Sequence, residues 1–340
     1  VRTDGPELRA PVMADVARLA GVSHQTVSRV VNGHHSIRPE TRRRVEQAIT
    51  QLGYRPNTAA RALVKGRTGI LGVIGAGSAH FGPTSIQHTI EDAAREAGLF
   101  ASTISLSEVT REMLDQSVEH MMSQLVEAIV IVAGQDEAVE LARNHPTHVP
   151  VVVVEGDLSR ARWTVGVDQV AGSRMAVRHL LDLGHADVAH VAGPADWSEA
   201  RARRDGWRAE LVAHGRRPRE PVHVPWSAAG GYEAGRRLAT DPSVTAVFAA
   251  SDQIALGVLR ALHEAGRRVP EDVSLVGFDD IPEAGYLLPP LTTVRQDFPA
   301  VGRRAVQLAQ VAMAGGAAPP PDLIAPELVV RASTTTSPAV

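Results

Sequence analysis

The sequence predicts an all-α head followed by an α/β body made of two doubly wound parallel-sheet lobes. Three observations predict it. Residues 12–55 carry short amphipathic helical patterns and no strand pattern, whereas from Gly69 onward continuous apolar strands alternate with amphipathic helices. The strands are too many for one covered sheet, so two consecutive lobes follow, with a crevice at the carboxyl ends of their strands. Charge divides at the same place: residues 1–68 hold twelve Lys or Arg against five Asp or Glu, a balance of +7, and the remainder holds 23 against 33, a balance of −10. A basic head on an acidic body confines phosphate binding to one end.

Residues 1–11, with Gly5, Pro6 and Pro11 and no period, read as a disordered tail. In DVARLAGVSHQTVSRVVN, Val16, Leu19 and Ala20 fall at i, i+3 and i+4, and Val27, Val30 and Val31 repeat that spacing. Two helices facing each other across a tight turn satisfy both stripes. Gly21 supplies the turn, Val22 plugs the corner, and Ser23 caps the second helix by accepting from the N–H of Gln25 or Thr26. This is a helix-turn-helix, with His24, Gln25, Ser28 and Arg29 on the outer face of its second helix, where they can meet base edges or phosphates in a major groove. Pro39 opens a third helix, with Val45, Ala48, Ile49 and Leu52 at helical spacing, and Gly53 ends it. In residues 56–68, Pro56 breaks the chain, Asn57 can cap, and TAARAL is too short to be a stable helix alone.

In the body, strands are expected at 70–74, 101–105, 128–132, 151–154, 188–192, 246–249 and 274–278. Helices are expected near 85–97, 111–125, 171–183, 200–214, 228–239 and 254–265, several ended by glycine. Residues beyond Arg331 read as a polar tail without leucine heptads. Trp163 and Trp197 read as loop residues near the crevice, aromatic platforms suited to a disaccharide or longer sugar.

Several chemistries are disfavoured. Gly72, Gly75 and Gly77 fail as a dinucleotide fingerprint, because His80 stands where the third glycine belongs and no acid follows about 20 residues later. His145 and His148 flank Pro146 without a further ligand nearby, so no metal and no cofactor is expected. Cysteine is absent, which removes disulfide and thiolate chemistry. No apolar run approaches the ~20 residues that span a bilayer and the first residues lack a signal peptide's apolar centre, so a cytoplasmic protein with no membrane partner is expected.

The segment A-D-V-A-x-x-A-G-V-S-x-x-T-V-S-R-V-x-N at 14–32 resembles the opening of the LacI/GalR family of bacterial transcription repressors, and SDQIALG at 251–257, VGFDD at 276–280 and PPLTTVRQD at 289–297 resemble its later signature segments. The resemblance implies a periplasmic-binding-protein-like body over 69–335. Its N-lobe would take 69–167 and 298–325 and its C-lobe 168–294 and 326–335, with crossings near 166–168, 294–298 and 324–327 and a tail at 336–340. It implies a DNA-binding domain at 12–55 whose contacts come from Ser23, His24, Gln25, Thr26, Ser28, Arg29 and Asn32. Residues 56–68 would form a hinge helix in which Asn57, Ala60 and Leu63 meet DNA, Leu63 as a minor-groove wedge. It further implies a homodimer on a pseudo-palindromic operator, no enzymatic activity, and an effector pocket lined by Pro83, Glu155, Arg203, Trp226, Ser251, Asp279, Gln296 and Phe298. The effector would be a small mono- or oligosaccharide acting as inducer, with a purine-like corepressor as the alternative. Departures from family residues at Leu125, Glu155 and Ser251 bear on which sugar fits.

Overall fold

The computed structural model describes residues 11–31, 34, 36–54, 67–76, 80–107, 110–136, 139–140, 147–156 and 161–337. It divides into two compact units at residues 68 and 69. In the first unit, α1 (Met13–Ala20) and α2 (His24–Val31) meet at Gly21, whose φ of 64° places it in the left-handed region that closes the turn. The Thr26 N–H donates to Ser23 Oγ at 3.1 Å, and the Val12 N–H donates to the Asp15 carboxylate at 3.0 Å, so both helix starts are capped by side chains. The third helix, α3 (Pro39–Leu52), starts on Pro39 and stops at left-handed Gly53.

The core of this unit is Val16, Ala17, Ala20, Val27, Val30, Val45, Ala48 and Tyr54. Leu19, expected in the apolar stripe, is 46% exposed, and Ala17 takes its place. A small alanine lets α1 approach α3 closely, which turns the longer leucine to the flank. Asn32 and the expected hinge contacts Asn57, Ala60 and Leu63 lie outside the described residues, as do residues 1–10 of the expected tail.

The second unit holds two parallel sheets. The six-stranded sheet runs in the order β11 (Asp322–Ile324), β5 (Thr164–Val167), β4 (Val151–Val154), β3 (Ala128–Val132), β1 (Ile70–Ala76), β2 (Phe100–Leu106). The four-stranded sheet runs β7 (Val222–His223), β6 (Ala189–Ala192), β8 (Ala246–Ala249), β9 (Ser274–Val276). All pairings within both sheets are parallel. Helices cover both faces, which is why β3 and β8 are apolar at every position and buried throughout.

On the first sheet, α4 (Phe81–Glu96) and α10 (Phe298–Met313) pack one face and α5 (Arg111–Ser123) the other. On the second, α8 (Ala228–Ala239) and α9 (Asp252–Glu264) pack one face, and α6 (Gln169–Asp182) and α7 (Ser198–Ala213) the other. Glycines set how closely paired helices approach: a methyl at Gly257 or Gly231 would overlap the facing backbone, and one at Gly302 would overlap Thr89. Among the described residues no helix is long and apolar enough to cross a membrane.

The chain passes between the sheets after β5, after β10 (Thr293–Arg295) and after β11; β10 pairs antiparallel with β12 (Glu327–Val329). Two of these passages double as helix caps. Asp168 Oδ1 accepts from the Ala171 N–H at 2.8 Å to start α6, and Asp297 Oδ1 accepts from the Ala300 N–H at 2.8 Å to start α10. Residues 332–337, read from sequence as tail, belong to the second sheet's lobe. The Leu275 N–H donates to the Ser333 carbonyl, Ser333 Oγ donates back to the Leu275 carbonyl, and the Ser337 N–H donates to the Leu183 carbonyl.

Candidate functional site

The carboxyl ends of β3, β4, β8 and β9, with the first turns of α4, α6, α7, α9 and α10, surround one cavity of about 540 Å³, its opening to solvent included. All eight residues expected at an effector pocket line it. Pro83 comes from the start of α4, Glu155 from the end of β4, and Arg203 from the second turn of α7. Trp226 lies before α8, Ser251 after β8, Asp279 after β9, and Gln296 and Phe298 between β10 and α10.

Five of the polar lining residues, Arg203, Gln169, Gln296, Asp279 and Glu155, form one connected chain. Arg203 donates from Nε to Gln169 Oε1 at 2.8 Å and from Nη1 to the Ala250 carbonyl, and Nη1 lies 3.4 Å from Asp279 Oδ1. Gln296 donates to the same Asp279 oxygen at 2.7 Å and accepts from the Gln169 amide at 2.8 Å. Glu155 accepts from the Val167 N–H at 3.1 Å and from Gln169 at 3.3 Å. The Arg203 guanidinium stacks 3.9 Å over Phe278 and 5.5 Å from the Trp226 ring, so its charge is held by π-faces as well as by Asp279.

Aromatic rings form the walls. Trp197 meets Trp226 edge-on at 6.0 Å and His80 at 5.4 Å, and Phe81 meets Phe298 at 5.9 Å. Gly193 leaves room for Trp226, because a methyl there would overlap the indole. Burial raises the carboxyls. Asp279 goes up to about 6 despite Arg203 and Gln296, and Glu155 up to about 8, desolvation leading and the Glu199 charge adding to it. Desolvation also raises Glu199 and lowers His80.

The left-handed backbones of Asp279 (φ 115°) and Asp280 (φ 56°) send the two adjacent acids to different places. Asp280 turns away and binds Arg295 at 2.7 Å and Arg331 at 2.6 Å, tying β10 to the chain after β12. Asp252 is also outside the lining: it accepts from Thr293 Oγ1 and the Ile281 N–H and so pins the loops that present Asp279.

Ser251 Oγ accepts from the Ile254 N–H at 3.2 Å and thereby starts α9, a structural duty alongside its place in the lining. Trp163, expected as a platform, sits instead in the apolar core of the first sheet, while Trp197 does line the cavity. Leu125 lies in the turn after α5, 70% exposed and outside the lining. Gln253, within the SDQIALG segment at a strand end, also lines the cavity, whereas sequence reasoning did not single out Gln169, Glu199 or Phe81. Their signal was position alone, each at the first turn of a helix that follows a strand end.

In the first unit, Ser23, His24, Gln25 and Arg29 are exposed on the outer face of α2, and Thr26 and Ser28 are half-buried on its flank. The Ser23 and Thr26 hydroxyls share a hydrogen bond of 2.9 Å, which fixes the entry of the helix. Arg42 donates to the His34 carbonyl at 2.8 Å, tying His34 to the first turn of α3.

A basic three-helix unit with a polar reading face, joined to a two-sheet body around a polar and aromatic cavity, defines a ligand-responsive DNA-binding protein. Residues 12–57 match the family described as bacterial regulatory proteins, lacI family, and residues 177–334 match the periplasmic binding protein-like domain. The chain is 33% identical to the lactose operon repressor of Escherichia coli (strain K12), the match covering 97% of this chain and 92% of that one. A solved structure described as the lac repressor dimer bound to operator and the anti-inducer ONPF superposes with a TM-score of 0.89 at 32% identity, covering 96% of this chain and 100% of that one. One described as the transcriptional regulator CelR–cellobiose complex has a TM-score of 0.72 at 31% identity, covering 95% and 99%. The chain belongs to the LacI family and is a transcription regulator rather than an enzyme.

Proposed function

We propose that the chain acts in the cytoplasm as a homodimeric repressor of a pseudo-palindromic operator, released by a small carbohydrate bound in the body's cavity. The observation that carries the effector reading is the linked set Arg203, Asp279, Gln296 and Gln169 beside the Trp226, Trp197 and Phe298 rings. Sugar hydroxyls need donors and acceptors in pairs, and a pyranose offers an apolar face to an aromatic plane. Glu155, Ser251 and Pro83 complete the assigned contacts. In the first unit, Arg29 and Gln25 are assigned to base edges, by the geometry of Arg with guanine and Gln with adenine. His24 tunes preference, and Ser23, Thr26 and Ser28 hold phosphates. The dimeric, operator-bound relative supports two α2 helices reading successive half-sites.

An effector must favour the state that binds DNA poorly, since equal affinity for both states shifts nothing. The test is a mobility-shift assay on a duplex selected from random DNA, with cellobiose, glucose and galactosides added. Release by a sugar is expected. Tighter binding on addition of guanine or hypoxanthine would replace this reading with the corepressor one.

A further inference from the structure

Among its described residues the cavity holds more carboxyls than cations. Among the described lining residues the titratable groups are His80, Glu155, Glu199, Arg203 and Asp279. Burial holds His80 toward its neutral form. Arg203 is committed: it faces Asp279, donates to Gln169 and to the Ala250 carbonyl, and stacks on Phe278. Arg201, two residues before it, pairs with Asp136 at 2.9 Å. Two carboxyls are left. Glu155 enters from the end of β4 on one lobe and accepts only neutral donors, the Val167 N–H and the Gln169 amide. Glu199 enters from the first turn of α7 on the other lobe, accepts from Ser198 Oγ at 3.2 Å, and lies directly against Gly134, where any side chain would displace it.

Burial raises both carboxyls and the Glu199 charge raises Glu155 further, while the Arg203 charge, which reaches both, only partly offsets this. Resting on the carbohydrate reading above, we infer that Glu155 and Glu199 together read an ammonium group on the effector, so that the cleft selects an amino sugar with a free amine over its neutral or acetylated counterparts. Trp197, edge-on to both Trp226 and His80, lines the same cavity and offers an aromatic neighbour to a cation there. In the free protein a proton is held on this pair, since Glu155 is pushed up to about 8. When the ammonium enters, that proton leaves to the buffer, the ligand stays charged, and both carboxylates accept from it. A neutral sugar leaves the proton in place.

The experiment is titration calorimetry of the full chain at pH 7 with glucosamine and its β-1,4-linked dimer, their N-acetylated forms, glucose and cellobiose, in two buffers of different ionisation enthalpy. The amine-bearing ligands should bind at least tenfold tighter than the others and release close to one proton. Glu199→Gln should bring that ratio toward one. Neutral or acetylated sugars binding as tightly as the amines, or amines binding without proton release, would overturn the inference and leave the carbohydrate reading standing. Binding of none of the six would remove the inference, and the mobility-shift panel with galactosides decides the carbohydrate reading separately. The proton count is read on the unaltered chain, so it stands even if Glu199→Gln folds poorly.

Discussion

Arg203→Ala separates an electrostatic keystone from a simple ligand contact. Arg203 is 5% exposed, and its removal leaves the equally buried Asp279 with Gln296 as its remaining donor. Breaking a buried ion pair from one side costs roughly 3–5 kcal/mol, because the other charge stays buried without its partner. Asp279 has an escape. Its pKa is already raised to about 6 with the guanidinium present, and loss of Arg203 pushes it higher, so the carboxyl can take a proton. The sign follows: the folded variant keeps its proton to a higher pH than the unfolded chain, and the penalty is small in acid and grows as pH rises through the new value. Thermal unfolding should therefore show the variant about 5–10 °C below the parent at pH 8, with a clearly smaller gap at pH 5. Arg203→Ala with Asp279→Asn should recover about 1–3 kcal/mol relative to the sum of the singles. An equal gap at both pH values, or strict additivity, would refute the reasoning.

Other outcomes follow from the same geometry. The parent's stability should fall from about pH 5 to pH 8. Asp252 and Glu155, both raised to about 8, contribute stability that is complete in acid and is lost progressively as pH rises from the ordinary carboxyl range through 8, and Asp279 does the same up to about 6; His190, buried neutral and lowered to about 3, opposes this with a contribution lost as pH falls below about 6.5. Denaturant midpoints from pH 4 to 9 check this, and His190→Phe should flatten the acid limb, since the ring already stacks between Trp207 and Phe248. Gly193→Ala must displace the Trp226 ring, so effector affinity measured by tryptophan fluorescence should fall at least tenfold. Ser23→Ala removes the acceptor of the Thr26 N–H and should cost the first unit about 1 kcal/mol by circular dichroism.

What the sequence made legible depended on how much of an element is written in its own residues. The strands AIVIV at 128–132 and VVVV at 151–154 are bounded as read, because a strand buried on both faces is apolar at each position. The short strands β7, β10, β11 and β12 carry three residues or fewer and take their conformation from pairing partners far along the chain, which no local period reports. Helix α10 was absent from the reading although its pattern is amphipathic. Its opening, Asp297-Phe298-Pro299, was read as the end of a signature segment rather than as a cap followed by Pro in the first turn. At the cavity, Asp279 and Gln296 lie in the quoted family segments, while Arg203 came from the family resemblance alone. Glu199 and Gln169 reach the same space because two helices on one face of the second sheet start side by side, a long-range pairing that no local period reports.

The central claim is that α2 grips a particular duplex and that a ligand in the body's cavity changes that grip. Fluorescence anisotropy of a selected duplex and of a scrambled one, at fixed salt, with and without saturating ligand, tests it most directly. The account predicts at least a hundredfold preference for the selected duplex, weakened at least tenfold by the ligand and largely abolished by Arg29→Ala, with the scrambled duplex affected by neither. Equal affinity for both duplexes, or one Kd for the selected duplex regardless of ligand, would contradict it.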